Sequence, residues 1–317
     1  MLIHQISQLT GRSAALLAKV LELMPIFQVA EFRNEPSYFA NFPDKSTFSG
    51  SAARAENQPL ARDAQRPAPA PVNQALYGRE LAIDDLRIQD ARILSSPDLL
   101  KNFSQNQLLS LMIQLFGEVE NDLIQGTGLN NQMLGLFNFV KDAAAGGQTA
   151  ALGFTGAEQA AMNYELGLKL DNIDDQDAFV ELIMRKLVEV PGANAILVNS
   201  FLGARMTMIA KRKGMLGTTD TNFNVPIDTW AGRPLVILPG NAITQTETDG
   251  LNNDCTSLAI VRFSEALGVC YGTNSGFLFT DFPETDVQPN QIARLQLFTN
   301  LVVEKSNAFR RISRIRL

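Results

Sequence analysis

Apolar residues recur at helical spacing in several stretches of the chain and at strand spacing near its end, with one long unpatterned segment between the first two. From Ser13 to Met24, Leu16, Leu17, Val20, Leu21 and Met24 make a stripe that Pro25 stops, which predicts a short N-terminal helix. Periodicity is then lost from Glu31 to Val72. That segment carries Phe32, Tyr38, Phe39, Phe42 and Phe48 among small polar residues. It closes on Pro59, Pro67, Pro69 and Pro71, which favour extended polyproline geometry. From Leu99 to Ile124 the spacing predicts a helix about 40 Å long. Leu108, Leu109, Met112, Ile113, Leu115, Phe116, Val119 and Leu123 share one side, while Gln105, Asn106, Gln114, Glu118 and Asp122 fall mostly on the other. Ser96-Pro97-Asp98 supplies a cap, a first-turn proline and an acid for the helix dipole, and Gly126 and Gly128 end the helix.

Beyond it the element types alternate. Asp174 to Val190 reads as a helix with Phe179, Leu182, Ile183 and Leu187 inward, stopped by Pro191-Gly192. Ala195-Ile-Leu-Val198 is a short buried strand, and Asn199 or Ser200 caps a helix that closes at Gly214. Arg233 to Pro239 and Ser257 to Phe263 are two more strands. Leu295, Leu297, Thr299, Leu301 and Val303 alternate with polar residues as in a long, half-buried strand.

Composition then narrows the chemistry. With 317 residues, 45% hydrophobic and 19% charged, the chain is that of a folded protein of one large or two ordinary domains. A net charge of -6 argues against coating nucleic acid by bulk electrostatics. No apolar run reaches the roughly 18 residues of a membrane span. Cys255 and Cys270 are too few for a disulfide framework, which points to a reduced, cytoplasmic setting. His4 is the single histidine, no phosphate-loop motif occurs, and Gly126-Thr-Gly128 follows a helix rather than a strand. Asp171, Asp174, Asp175 and Asp177 read as acids at a helix start, Lys211-Arg-Lys213 as cations at a helix end, and Trp230 as a packed turn anchor. Arg310, Arg311, Arg314 and Arg316 either face a polyanion or keep an edge strand soluble. No catalytic residue, cofactor or metal site is predicted.

The Glu31–Val72 segment fits either an interdomain linker or an arm that orders only against a partner. Its aromatics favour the arm, with Phe32, Tyr38, Phe39, Phe42 and Phe48 as intersubunit contacts. In the order of its parts the chain resembles the major capsid proteins of tailed bacteriophages, with the Hong Kong 97-type fold. The similar parts are the arm, the extended loop, the helix carrying Phe116-Gly-Glu-Val-Glu-Asn-Asp-Leu-Ile-Gln-Gly-Thr-Gly128, and the Ala195-Ile-Leu-Val-Asn-Ser200 strand-then-helix step. Trp230-Ala-Gly-Arg-Pro-Leu-Val-Ile-Leu-Pro239 and the Thr256–Tyr271 stretch followed by Gly276 complete them. The resemblance implies an α+β chain divided into an N-terminal arm (1–30), an extended loop (31–78), the spine helix with the first part of a peripheral domain (79–163), an axial α/β domain (164–271), and C-terminal strands of the peripheral domain (272–317).

It further implies self-assembly into pentamers and hexamers of an icosahedral shell in the virion, built in the host cytoplasm without a membrane. A separate scaffolding protein, a portal, a decoration protein and packaged double-stranded DNA are the implied partners. Lys45 is the only lysine of the arm, and the resemblance assigns it no crosslink. Two rivals remain at this stage: an encapsulin-like nanocompartment shell, and a two-domain α/β enzyme with Glu31–Val72 as a lid.

Overall fold

The stripe from Leu99 to Ile124 forms one helix, α1 (Pro97–Gln125), of 29 residues. Met112, Leu115, Phe116, Val119, Leu123 and Ile124 are buried along it, whereas Ile113, assigned by spacing to the same side, is exposed. Asp122, read as outward, is buried because Tyr77 reaches it. α1 stops where the backbone crosses itself closely. A methyl on Gly126 would sit 2.3 Å from the Met133 carbonyl oxygen, and one on Gly135 would sit 2.6 Å from that of Ile124, so only glycine fits at either place. The computed structural model describes residues 20, 24–36, 38–41, 70–84, 97–140, 151–220, 226–239, 242–247, 254–282 and 290–317. The predicted helix over Ser13–Met24 lies almost wholly outside them.

A long hairpin backs α1. β11 (Val269–Phe282) and β12 (Asn290–Val303) run antiparallel from Val269↔Val303 to Phe282↔Ile292. β4 (Ala75–Asp84) pairs antiparallel with β12, and β1 (Phe32–Asn34) pairs parallel with β11, giving the order β1-β11-β12-β4. The alternation read near the end of the chain is that of β12: Leu295, Leu297, Thr299 and Leu301 are buried, and the residues between them are partly exposed. β2 (Tyr38–Asn41) and β3 (Ala70–Asn73) form a separate antiparallel ribbon. The segment from Glu31 therefore does not begin irregular. Its first eleven residues supply two strands, because their backbone groups find partners far away in sequence.

The second sheet has seven strands in the order β5-β13-β10-β6-β9-β8-β7. These are β5 (Asn163–Glu165), β6 (Ala195–Asn199), β7 (Leu216–Asp220), β8 (Pro226–Trp230), β9 (Arg233–Leu238), β10 (Cys255–Val261) and β13 (Phe309–Arg316). Leu197, Val236, Leu238, Ala259 and Val261 face the core shared with α1 and the first sheet. Ile196, Val198, Leu235, Leu258 and Ile260 face a second core. Burial on both faces is why these strands read as unbroken apolar runs. Over the second core lie α4 (Ile173–Glu189) and α5 (Ser200–Lys213), after two short helices, α2 (Leu136–Val140) and α3 (Gly156–Ala161). Asn172 caps α4 by accepting from Asp175 N at 2.7 Å, and Asn199 caps α5 by accepting from Leu202 N at 2.8 Å. Gly214, at φ 67°, closes α5. Trp230 is fully buried at a tight β8–β9 turn, where Ala231 and Gly232 take φ 51° and 74°, the sign that primed hairpin turns require.

β13 corrects two expectations. Residues 272–317 do not stay with one sheet: β11 and β12 lie in the first, and β13 crosses to the second. There it sits between β5 and β10 as an interior strand, not as an edge. Its register slips against β10, with Thr256↔Ile315 followed by Leu258↔Ile312, and Arg314 at φ 59° lies inside the slip. The extra residue is a β-bulge that turns both Ile312 and Ile315 into the second core.

Candidate functional site

The candidate site is the ribbon of β2 and β3, which flanks residues 42–69 in the sequence. Asn41, at the end of β2, is buried, and its Nδ2 donates to the carbonyls of Leu152 at 2.8 Å and Val303 at 2.9 Å. Val72, on the returning β3, is buried as well. Asn41 is thus held on the Leu152 and Val303 carbonyls, and Val72 in the main core. Asn41→Ala strips the donor from two buried carbonyls, so it is expected to cost about 1–3 kcal/mol. Urea unfolding of the isolated subunit measures this, and a midpoint equal to wild type would show that the ribbon is not held there.

Beyond the ribbon, Tyr77 of β4 donates its hydroxyl to Asp122 Oδ2 at 2.8 Å and accepts from Met133 N at 3.1 Å, tying β4 to α1 and to the loop after it. Burial raises the Asp122 carboxyl above its ordinary range, and the Tyr77 hydrogen bond partly offsets this. Burial also raises Tyr77. Glu120, one turn from Phe116, is buried with only the Ile26 N–H at 3.3 Å as its described hydrogen-bond partner. Burial pushes its carboxyl up to about 7. It borders a groove of about 630 Å³ between α1 and the Pro239–Ala242 segment.

The predicted contact aromatics separate. Phe32 is 1% exposed and lies inside its own subunit, stacked on Phe27 with ring centres 5.7 Å apart and tilted against Tyr271 at 5.6 Å. That corrects its assignment as an intersubunit contact: β1 pairing with β11 carries the ring into the core. Tyr38 and Phe39 lie on β2, opposite Asn73 and Val72. Phe42 and Phe48 fall outside the described residues.

The C-terminal arginines find partners at home. Arg311 is buried, paired with Glu247 at 2.8 Å, bonded to Ser257 Oγ at 3.0 Å, and laid over the Phe137 ring at 4.7 Å. Burial lowers its pKa, and Glu247 opposes that shift. Arg310 holds Glu189 at 3.0 Å, Arg314 holds Glu165 at 2.8 Å, and Arg316 donates to the Gly167 carbonyl at 3.3 Å. These contacts give the cluster partners within the subunit, and the interior place of β13 removes the edge-strand reading. Lys213 and Arg212 reach Asp177 at 2.7 and 3.8 Å, and Asp171 pairs with Lys169. Cys255 and Cys270 are free thiols in the interior, and burial pushes Cys270 up to about 12. Among the described residues no group of three or more His, Cys, Asp or Glu is arranged to hold a metal, and no helix is long and apolar enough to cross a membrane.

No protein-family model matches the chain, and no curated protein matches it in sequence. Solved structures do match its fold. The SrpI encapsulin of Synechococcus elongatus PCC 7942 aligns over 92% of this chain and 87% of its own, at 14% identity and TM-score 0.60. The capsid of an empty GTA particle aligns over 91% and 89%, at 14% identity and TM-score 0.59. The capsid of cyanophage P-SCSP1u aligns over 90% and 87%, at 10% identity and TM-score 0.51. The chain has the Hong Kong 97-type shell fold. Within that fold, α1 is the long spine helix and the hairpin β11–β12 with β4 is the sheet behind it. Asn41 and Val72 flank residues 42–69 in the sequence. Asn41, Glu120 and Tyr77 were not singled out by sequence reasoning, and Arg311 was read only as one of a cluster of arginines. Only Glu120 left a local signal, a carboxylate at the i+4 position from Phe116 where the stripe asks for an apolar residue.

Proposed function

We propose that this chain is the major capsid protein of a tailed phage. Copies associate as pentamers and hexamers into an icosahedral shell that encloses packaged double-stranded DNA. The observation that carries the reading is the shared fold with the GTA and cyanophage capsids over about nine-tenths of both chains. The role is structural: the subunit works through repeated contacts, each modest, that multiply through effective concentration once a ring closes. A scaffolding protein, a portal and a decoration protein are its proposed partners, and the virion capsid, assembled in the host cytoplasm, its location. The enzyme reading draws no support from the start of the supposed lid, which is two strands built into the subunit.

The encapsulin likeness supports a second reading, a nanocompartment shell around protein cargo. Electron microscopy of the expressed protein, with scaffold supplied, is expected to show closed shells. Nuclease-protected DNA in particles from the native source supports the capsid, and protein cargo alone supports the nanocompartment. Phe42→Ser with Phe48→Ser is expected to reduce the shell yield while leaving the subunit's melting temperature unchanged. A clean monomer at high concentration would remove both shell readings.

A further inference from the structure

The outer faces of α4 and α5 are the least explained surface of the molecule. Both helices pack their inner sides on the same core, with Phe179, Leu182 and Ile183 from α4 and Leu202, Met206 and Ile209 from α5. Their outer sides are unusually apolar for solvent. Val188 is 81% exposed and Ile173 61% on α4, while Phe201 is 66% and Met208 65% exposed on α5. At helical spacing Ile173, Met184 and Val188 fall on one face of α4, and Phe201 and Met208 fall on one face of α5. Exposed apolar side chains in register on adjacent elements mark a contact surface.

The charges around them say what the contact is. α4 holds five acidic residues and two basic ones, a net of -3. α5 holds four basic residues and no acidic one, a net of +4. Asp177 spends its charge inside the subunit on Lys213 and Arg212, which fixes α4 beside α5, while Glu181 pairs with Arg185 on its own helix and Glu189 with Lys186 and Arg310. Among the described residues Asp174, Arg205 and Lys211 meet no opposite charge. One subunit thus presents an acidic apolar face next to a basic apolar face, and the surface complementary to each is the other, on a second molecule.

We propose that this outer face is a contact between copies of the chain, with α4 of one copy laid on α5 of the next. The inference rests on the shell reading and assigns one of the shell's interfaces. Two charge-reversed variants test it: Asp174→Lys with Glu181→Lys, and Arg205→Glu with Lys211→Glu. All four positions are at least partly exposed, so melting temperatures are expected to match wild type. If one falls, the neutral forms with Asn and Gln at the reversed positions are read instead. By sedimentation velocity each variant alone is expected to lose assembly by at least about tenfold, because like charges then face each other. An equal mixture is expected to regain it, since the lysines placed on α4 of one variant meet the glutamates placed on α5 of the other, whose net charge has fallen from +4 to 0. Phe201→Ser with Met208→Ser is expected to lose assembly that neither charge variant restores. Variants that assemble as well as wild type, or a mixture without rescue, would overturn the α4-on-α5 contact while leaving the shell reading intact. A wild-type chain that stays monomeric with scaffold supplied would overturn both.

Discussion

Phe32→Ala is expected to destabilise the isolated subunit by about 3–5 kcal/mol, the range for deleting a buried aromatic ring. The ring is enclosed on several sides. Phe27 stacks on it, Phe116 meets Phe27 edge-on at 5.3 Å, and Tyr271 leans on its other face. Tyr271 is itself pinned, donating its hydroxyl to the Leu123 carbonyl of α1 at 3.1 Å, so the neighbours cannot collapse into the hole. The backbone offers little reserve. β1 has only three paired positions, flanked by Tyr271 N donating to Glu31 O and Glu35 N donating to Thr273 O, both at 2.9 Å. Loss of the ring is therefore expected to free β1 and with it the ribbon that follows. Urea unfolding gives the cost, and Leu76→Ser, at a half-exposed site on β4, serves as a control expected to stay within about 0.5 kcal/mol of wild type. A loss below about 1 kcal/mol for Phe32→Ala would mean that the aromatic cluster does not hold the ribbon.

Local pattern made most of the frame legible. α1, α4, α5 and β12 each bury one side of a regular element, so period alone locates the three helices within a residue or two and the second half of β12, which begins at Asn290. The strands β6, β9 and β10 were legible from unbroken apolar runs, and the strand-then-helix step at Asn199 from a cap residue that also bonds Thr256 at 3.0 Å. These are features in which local preference and tertiary packing agree.

The misread parts are those decided by distant partners. Three residues of β1 carry no period, and only their pairing with β11, some 240 positions later in the chain, makes them a strand. Arg311 reads as one of four solvated cations until Glu247, Ser257 and the Phe137 ring close around it. β13 looks like an edge strand because four arginines crowd it, and nothing nearby in the sequence shows that β5 and β10 flank it. The candidate site suffers in the same way: the two carbonyls that hold Asn41 come from Leu152 and Val303, and nothing near Asn41 announces them.

Raising the pH from about 5 to 8 is expected to weaken the wild-type subunit by about 3 kcal/mol through Glu120 alone. Burial lifts this carboxyl from its ordinary 4.5 to about 7, and the Ile26 N–H only partly opposes the shift. No cation answers it among the described residues of the groove, where Met24, Pro239 and Ala242 face it from other segments. The native chain therefore keeps a proton on Glu120 up to about pH 7, while the unfolded chain releases it near pH 4.5. Between those values the native state binds more protons, so stability from this group is complete below pH 4.5, declines as pH rises, and is gone above pH 7. Glu120→Gln keeps an acceptor for the Ile26 N–H and carries no charge at any pH. It is expected to match wild type near pH 5, to exceed it at pH 8, and to flatten this part of the pH profile in urea unfolding. The gain belongs to the junction between α1 and the Pro25–Gln28 turn, so amide exchange at Ile26 is expected to slow in the variant at pH 8 and to stay the same at pH 5. Parallel pH profiles for the two proteins would show that Glu120 is ionised in the native subunit throughout, and that the junction carries no pH dependence of its own.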